Sequence, residues 1–391
     1  MSDEYSVKKS RRKKKKNRRK KRIVLFVMEL LILACLAVGV FVFAKVNAGL
    51  RNFQQLDTAD ENQNMDNVQM NEGVAVDKVM SGYTNILLLG LDHREDESFD
   101  YCNSDTMMIC SINNDNGEVR LVSVYRDTYL NINPETYDFQ KANAAYCWGS
   151  AAQCISMINK NLDLNITDYV AVDFKALAVL VDDIGGIDVT LTELEIGHLN
   201  NYCVETSRVT GMPYEDLPQI AGTYTLNGVQ AVAYARIRYG GGNDQKRTQR
   251  QRLVIEKIVS KARQGGIGAV TNIINDVFPY CKTSLSNAMI VKMATQMIGA
   301  YDIVNTTGFP SAFLGDSPYI NSEYLVPVTL EQNVRDLHTF LFNDASYEPS
   351  DTVKEYSQYI IDSSGYNMDY YNQAVEASQI PASGSEADIV K

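Results

Sequence analysis

Three short segments place charged side chains directly beside predicted strands. Asp92 follows the apolar run NILLLGL, Asp105 precedes the run TMMICSI, and Arg126 and Asp127 lie just after the run EVRLVSV. If the first two strands are antiparallel and the Asn-Gly turn returns the third, these side chains reach one edge of a sheet. Carboxylates and a guanidinium group are therefore expected to converge at that edge.

A second basic group is found in the segment ARIRYGGGNDQKRTQRQR. Arg236 and Arg238 point the same way if their stretch is extended. Arg247 and Gln251 continue the apolar stripe of the helix that follows, so both are predicted to face inward at its N-terminus, whereas Arg250 falls toward the flank. An inward Arg needs an anionic partner, because an unpaired buried charge is costly.

These residue types are suited to a metal-assisted pyrophosphate site. Arg forks bind phosphate oxygens bidentately, and helix N-termini favour anions. Mg²⁺ (or Mn²⁺) prefers a few carboxylates together with substrate phosphates, so Asp92 and Asp105 are predicted metal ligands. Asp92, Asp105 and Asp127 are the candidate general bases. The alternative is that the same groups form surface salt bridges.

The elements that must position these residues alternate between strand and helix from residue 81 to 345. Strands are predicted at 85–91, 106–112, 118–124, 169–172 and 187–191, and helices at 141–162, 174–184, 226–235, 247–263, 284–298 and 330–341. The alternation predicts an α/β fold, specifically a three-layer α/β/α domain with a mixed central sheet. Apolar residues of the helices at 141–162 and 174–184 are expected to line a long tunnel against the sheet.

The N-terminal residues predict a membrane anchor. A basic arm at 1–22 precedes residues 23–44, an apolar run that at about 1.5 Å per residue is long enough to cross a hydrocarbon core. No clear cleavage site follows, and the positive-inside rule places the arm in the cytoplasm. Residues 45–80 are expected to form an extracellular stalk, and residues 346–391 a partly flexible tail. The predicted location is therefore a cell membrane, crossed once by one transmembrane helix, with domain 81–345 outside the cell.

The part outside the cytoplasm is acidic. Residues 1–45 hold 14 Lys and Arg and 3 Asp and Glu, and subtracting these from the totals of 37 and 48 leaves 23 and 45, a formal charge of −22. This charge excludes a general polyanion-binding surface, and no nucleic-acid partner is expected. Any site for an anionic ligand must be a local cluster of cations.

Six cysteines lie beyond the predicted anchor. An even number in an oxidising compartment predicts at least one disulfide, and reduced thiols are the alternative. The spacing of the cysteines matches no zinc pattern, and the three histidines are scattered along the chain. A metal site built from His and Cys is therefore not expected.

Between about Tyr83 and Ala262 the chain resembles the LytR–CpsA–Psr family of membrane-anchored cell-wall phosphotransferases. The resemblance rests on several blocks in one order: NILLLGLD (85–92), SDT (104–106), SVYRDTYLNI (123–132), KANAAY (141–146), LVDDIGGIDV (180–189), LNGVQAVAYARIR (226–238) and RTQRQR (247–252). It implies transfer of a phosphoglycopolymer, such as a teichoic acid or a capsular polysaccharide, from a polyprenyl-pyrophosphate lipid to peptidoglycan. It also implies that membrane lipid is a partner and that the prenyl chain is buried between sheet and helices.

The resemblance implies a set of residues that grip the pyrophosphate. They are Arg94, Arg126, Arg236, Arg238, Arg247 and Gln251.

The chain departs from the family pattern at three places. Asn103 stands where the family usually has Arg, Tyr125 stands in place of Pro, and Gln245-Lys246 replaces Phe-Gly. Arg94 or Lys246 could supply the missing charge. Asn103 motivates one alternative, a non-catalytic polyprenyl-phosphate-binding protein of wall assembly. A second alternative, a membrane-bound transcriptional attenuator, requires the basic arm to act on DNA.

Overall fold

The computed structural model describes residues 65–91, 103–238, 243–277, 280–315, 317, 319–320 and 323–379. The predicted arm, the anchor and most of the stalk lie outside these residues, as do Asp92 and Arg94. The anchor at 23–44 therefore stays a prediction. Within the described residues, none of the helices combines the length and the apolar character needed to span a bilayer.

Strands and helices alternate through most of the described chain. The strands are β1 (Tyr83–Leu91), β2 (Ser104–Asn113), β3 (Glu118–Val124), β4 (Tyr129–Asn133), β5 (Asp138–Lys141), β6 (Asp168–Val172), β7 (Ile187–Leu191), β8 (Gly222–Leu226), β9 (Cys281–Thr283), β10 (Asp302–Phe309), β11 (Phe313–Leu314) and β12 (Val326–Pro327). The α-helices are α1 (Ala144–Leu162), α2 (Phe174–Asp183), α3 (Glu193–Thr210), α4 (Gly228–Arg236), α5 (Asn243–Asn272), α6 (Asn287–Gly299), α7 (Leu330–Phe342), α8 (Asp351–Ser364) and α9 (Tyr371–Ser378).

Six strands form a central sheet in the order β10–β3–β2–β1–β6–β9. β2 is antiparallel to both β1 and β3, whereas β6 is parallel to β1 and β10 is parallel to β3. The predicted mixed sheet is therefore confirmed. Met107 of β2 pairs with Val124 of β3. Continuing that register by two residues on each strand brings Asp105 opposite Arg126 at the sheet edge.

Helices cover both faces of this sheet. Leu87 and Leu89 of β1 belong to a core cluster that includes residues of α1 and α7. Leu88, between them, points to the other face, where it packs with Met108 and with Ile255 of α5. This alternation is the period of two expected of a strand buried on both sides. The three-layer arrangement predicted from the sequence is present.

Four predicted helix starts differ from the structure. The helices predicted from 226 and 284 begin at Gly228 and Asn287, and the other two differ for a local reason. The helix predicted from residue 141 begins at Ala144, because Lys141 pairs with Tyr129 in the β4–β5 hairpin. The helix predicted from residue 247 begins at Asn243, which places Asp244 on its first turn. This last difference changes the composition of the candidate site.

The compact fold extends past both predicted ends of the domain. In the predicted stalk, Met80 is buried and Asn71 donates a hydrogen bond to Asp163 at 2.5 Å. In the predicted tail, Val353, Tyr356 and Ile360 of α8 pack into the same cluster as α1 and α7. Residues 65–80 and 346–379 are therefore part of the folded unit and not a stalk and a tail.

The expected disulfide is not formed among Cys110, Cys154, Cys203 and Cys281. Each of these four cysteines is a free thiol. Cys154 packs in the cluster on the α1 face of the sheet and Cys110 in the cluster on the opposite face, so the sheet itself separates them.

Candidate functional site

Three of the predicted Arg residues meet around Asp105 at the start of β2. Arg126 Nη1 donates a hydrogen bond to Asp105 Oδ1 at 3.0 Å, and Arg238 Nη2 donates one to Oδ2 at 2.7 Å. Arg247 Nη1 lies 3.7 Å from the same Oδ2. Three guanidinium groups therefore converge on one carboxylate, two from the segments that follow β3 and α4 and one from α5. We call Asp105, Arg126, Arg238 and Arg247 the arginine cluster.

The arginine cluster holds Asp105 in its charged form. Burial alone would raise the pKa of Asp105, but Arg247, Arg126 and Arg238 together outweigh burial and hold the pKa below its usual value. Burial likewise disfavours the charged form of Arg126, but Asp105, Asp127 and Asp244 reverse the effect and raise its pKa. A carboxylate held this acidic is a weak proton acceptor, which argues against Asp105 as the general base.

Arg247 is the most deeply placed cation of the arginine cluster. Its side chain is only 3% exposed, and Nη2 lies 2.7 Å from Asp244 Oδ1 without the geometry of a hydrogen bond. Burial lowers the pKa of Arg247, with Arg238 and Arg126 acting in the same direction and Asp244 and Asp105 opposing. Its Nε and Nη2 are buried without a hydrogen-bond acceptor, and so is Arg126 Nε. Buried donors without acceptors are rare and costly, and an anion would satisfy them.

Asp244 is a member of this site that the sequence reasoning missed. Its Oδ1 lies near both Arg247 and Arg126, at 2.7 and 3.7 Å, while its Oδ2 is buried without a partner. The signal that could have found it is the spacing of three residues between Asp244 and Arg247, which puts both on one helix face once the helix begins at Asn243.

Asp127 lies behind Arg126. Its Oδ2 is 3.4 Å from Arg126 Nε, and its Oδ1 is 3.2 Å from Lys141 Nζ. A carboxylate held between two cations can orient Arg126.

Arg236 is placed differently from the expectation. The stretch with Arg238 is not extended, because α4 continues through Arg236. Arg236 donates hydrogen bonds to Glu205 and Thr206 of α3, at 3.1 and 3.0 Å, and its guanidinium lies 4.5 Å from the centre of the Phe174 ring. It therefore lies beside the arginine cluster and has a carboxylate partner of its own.

Two other polar side chains of α5, those of Gln251 and Arg250, point to different faces of the helix. Gln251 faces inward with Arg247, as predicted, and its side-chain oxygen is buried without a partner. Arg250 turns away toward Glu195, at 3.3 Å, and toward the Ile237 carbonyl, at 3.2 Å.

Asn103, at the site of the missing Arg, is exposed beside the first residue of β2.

A cavity of about 460 Å³ opens from the arginine cluster into the layer between the sheet and α2–α5. Its polar end holds Asp105, Arg236, Arg238, Arg247 and Gln251, and the rest of its lining is mainly apolar. A second, apolar cavity of about 280 Å³ shares three of its lining residues and continues under α6. The shared residues are Leu88, Val170 and Ile255.

Of the two helices that were predicted to line a tunnel, only one lines the larger cavity. Phe174, Leu177 and Leu180 of α2 line the larger cavity. Residues of α1 do not line it, because α1 packs on the opposite face of the sheet.

The oxygens of Asp105 are the described carboxylate oxygens that were predicted to bind Mg²⁺. Both oxygens of Asp105 already accept from Arg126 and Arg238, and three cations surround the carboxylate. Among the residues described, no three His, Cys, Asp or Glu side chains come close enough to hold a metal ion. In this arrangement Asp105 does not fit a resident divalent cation, because guanidinium groups occupy the oxygens a metal would use.

Comparison with known proteins places these features in a family. The sequence model of the LytR_cpsA_psr family matches residues 44–336. The polyisoprenyl-teichoic acid–peptidoglycan teichoic acid transferase TagU of Enterococcus faecalis is 32% identical over 234 residues, which are 58% of this chain and 71% of the relative.

Two solved structures share the fold. A protein of Streptococcus agalactiae, gbs0355, has a TM-score of 0.55 at 22% identity, over 69% of this chain and 90% of its own. A structure described as TagT bound to LI-WTA has a TM-score of 0.52 at 20% identity, over 69% and 94%. With the family match covering most of the chain, this protein belongs to the LytR_cpsA_psr family.

Proposed function

We propose that this protein transfers a phosphoglycopolymer, such as a teichoic acid or a capsular polysaccharide, from a polyprenyl-pyrophosphate carrier to peptidoglycan. The observation that carries the proposal is a mainly apolar cavity that ends at buried guanidinium donors without acceptors. A ligand with a long apolar chain and an anionic head satisfies both halves of this site. The relative TagU is named for the same kind of transfer.

The arginine cluster supplies the binding of the head group. Arg126, Arg238 and Arg247 present donors toward one point, and Gln251 and Arg236 line the same end of the cavity. Guanidinium forks bind phosphate oxygens bidentately and hold them in a fixed orientation. Because these donors are already in place, they can stabilise the charge that develops during transfer without reorganising.

The reaction is a transfer of a phosphoryl-linked polymer. A hydroxyl oxygen of a peptidoglycan sugar attacks the phosphorus that carries the polymer. The bond from that phosphorus to the bridging oxygen breaks, and polyprenyl phosphate leaves with the electron pair. The hydroxyl proton passes to a base, for which Asp92 and Asp127 are the candidates that remain. The described residues thus provide charge stabilisation and positioning, the dominant contributions in phosphoryl transfer.

The proposal includes Mg²⁺ (or Mn²⁺) only as an ion that enters with the pyrophosphate. Phosphate oxygens are the ligands that Mg²⁺ prefers, and it binds protein sites through one or two carboxylates. Asp92 is the predicted carboxylate for this ion, and Asp105 would have to exchange its guanidinium partners first.

The proposal also places the enzyme at the outer face of a cell membrane, held by residues 23–44. A lipid-linked donor must be reached at the bilayer surface, and the predicted anchor keeps the domain there. Protease added to intact protoplasts should remove the domain and spare the first 45 residues. Protection of the whole domain from protease added outside intact protoplasts would contradict this topology.

The central experiment incubates the purified protein with lipid-linked polymer, Mg²⁺ and peptidoglycan oligomers, followed by mass analysis of the products. The expected product is peptidoglycan that carries polymer through a phosphodiester, together with free polyprenyl phosphate. Tight binding of polyprenyl pyrophosphate with no product would instead support the alternative of a binding protein in wall assembly.

A further inference from the structure

An aromatic strip begins next to the candidate site and follows the β4–β5 hairpin. The centre of the Tyr129 ring lies 5.0 Å from that of Tyr324 and 5.6 Å from that of Phe139. Phe139 in turn stacks on Tyr359, with ring centres 4.2 Å apart, and lies 5.3 Å from Tyr137. We call these five residues the aromatic strip.

Lys141 connects the aromatic strip to the arginine cluster. Its Nζ lies 3.2 Å from Asp127 Oδ1, 3.3 Å from Glu323 Oε2 and 5.8 Å from the centre of the Tyr324 ring. Asp127 also contacts Arg126 Nε at 3.4 Å. The strip therefore starts two side chains away from the guanidinium that is expected to hold the reacting phosphate.

The strip has a buried layer and an exposed layer. Phe139 and Tyr129 are buried, whereas Tyr137 and Tyr359 each leave 37% of their surface exposed. Tyr137 adopts a φ of 58°, in the left-handed region that Gly and Asn usually occupy. Its ring packs on Phe139, Tyr356 and Tyr359, and these contacts offset the backbone cost of holding an aromatic residue there.

Part of the strip lies outside the residues that the family model matches. Tyr359 belongs to α8, which begins at Asp351, whereas the match to the family ends at residue 336. The described chain therefore uses α8 to complete a surface next to the site.

The charges around the strip select its ligand. Tyr137 donates a hydrogen bond to Glu355 at 3.3 Å, and Glu323 lies at the opposite end beside Lys141. Glu323 is already paired with Lys141, but the exposed carboxylate of Glu355 repels a polyanion at the outer end, so the phosphoglycopolymer is a poor occupant there. Uncharged sugars suit the strip, because their C–H faces pack on aromatic rings and their hydroxyls can donate to the flanking carboxylates.

We propose that the aromatic strip binds the sugar chain of the peptidoglycan acceptor and directs one of its hydroxyls toward Arg126. The inference rests on the proposed function, which it deepens by assigning a place to the acceptor. Rigid Tyr side chains provide a large contact area at low entropic cost, as expected of a surface that positions a long polymer.

The first test measures direct binding of chitotetraose, an uncharged amino-sugar tetramer, to the full chain in detergent by saturation-transfer NMR and titration calorimetry. Tyr359→Ala and Tyr137→Asn should each weaken binding by about three- to tenfold, the loss expected for one stacked ring. Asn accepts the left-handed backbone, so Tyr137→Asn removes the ring without adding backbone strain. The matched control is Tyr280→Ala, which removes an equally exposed Tyr beside β9 at the far edge of the sheet.

The second test separates this inference from the proposed function. In the transfer assay, both strip variants should raise KM for peptidoglycan oligomers by a similar factor and leave the retention of polyprenyl pyrophosphate unchanged. Sugar binding that depends on the strip, in a protein that transfers nothing, would support the strip and contradict the proposed function. Transfer with unchanged KM and unchanged sugar binding in both variants would overturn the strip alone. The strip proposal would also be overturned if the variants bind sugar normally but no longer bind a protein partner, because the strip would then be a protein-binding surface.

Discussion

Replacing Arg238 tests the arginine cluster with little disturbance of the fold. Arg238 is 37% exposed at its side chain and makes one hydrogen bond, at 2.7 Å, to Asp105. An ion pair exposed to this degree contributes about 0–1 kcal/mol to stability. The same guanidinium, placed against charge that develops in the transition state, contributes on the order of 10²–10³ in rate, or about 2.7–4 kcal/mol. Arg238→Ala should therefore lower turnover far more than stability.

Two quantities are measured for each variant. Mass analysis of the products gives the turnover of lipid-linked polymer, and thermal unfolding gives the midpoint temperature. Arg238→Lys should recover little activity, because an ammonium group cannot reproduce the fork. Arg263→Ala is the matched control, because the Arg263 side chain is exposed to a similar degree and pairs with Asp302 at 2.9 Å, away from the arginine cluster. Arg247→Ala is less informative, because removing a buried partner from a charge network commonly costs about 3–5 kcal/mol of stability.

Two results would refute the reasoning. If Arg238→Ala transfers polymer at the parent rate, the guanidinium does not stabilise the transition state. If its activity falls only in step with a large loss of thermal stability, Arg238 holds the fold together and the cluster is a structural salt-bridge network.

Other predictions concern the lipid, the metal ion and acid stability. Ile255→Trp should reduce the polyprenyl phosphate that co-purifies with the protein and leave the unfolding midpoint nearly unchanged, because Ile255 lines both cavities. Removing divalent ions with EDTA should stop turnover while octaprenyl pyrophosphate still binds, and added Mg²⁺ should restore the rate. Full turnover in EDTA would show that the reaction needs no divalent ion. Burial lowers the pKa of His338 despite the opposing hydrogen bond to the Leu162 carbonyl. Its contribution to stability is thus present above the ordinary His value of about 6.5 and lost as pH falls through the lower folded pKa. Urea unfolding should show a decline between pH 7 and 5 that is smaller in His338→Gln.

The parts of the site that were predicted correctly depend on local geometry. Asp105 and Arg126 meet because two antiparallel strands joined by a tight turn fix their register. Arg247 and Gln251 face inward because helical spacing carries the apolar stripe of α5 back to them. In each case the residues that decide the outcome lie close together in the sequence.

The features that were missed depend on element ends and on distant contacts. Asp244 joined the site only because α5 begins four residues before its predicted start, and Arg236 turned to Glu205 because α4 ends one residue later than predicted. The periodic spacing of Val353, Tyr356 and Ile360 in α8 is a helical signal that the sequence reasoning passed over. The packing of that helix against β4 and β5 joins residues more than 200 positions apart, and no local pattern encodes such a contact.

The charge balance of the site shows how an acidic protein can bind an anion. Arg126, Arg238 and Arg247 are matched by three carboxylates, those of Asp105, Asp127 and Asp244, so these six charges nearly cancel. Attraction by net charge therefore cannot be the main cause of binding. The carboxylates instead hold the guanidinium groups in place, and the donors they leave without acceptors have a fixed direction. A pyrophosphate presents several oxygens at one point, so it can accept hydrogen bonds from all of these donors together. A ligand with a single diffuse negative charge cannot, and the geometry of the donors therefore favours the pyrophosphate.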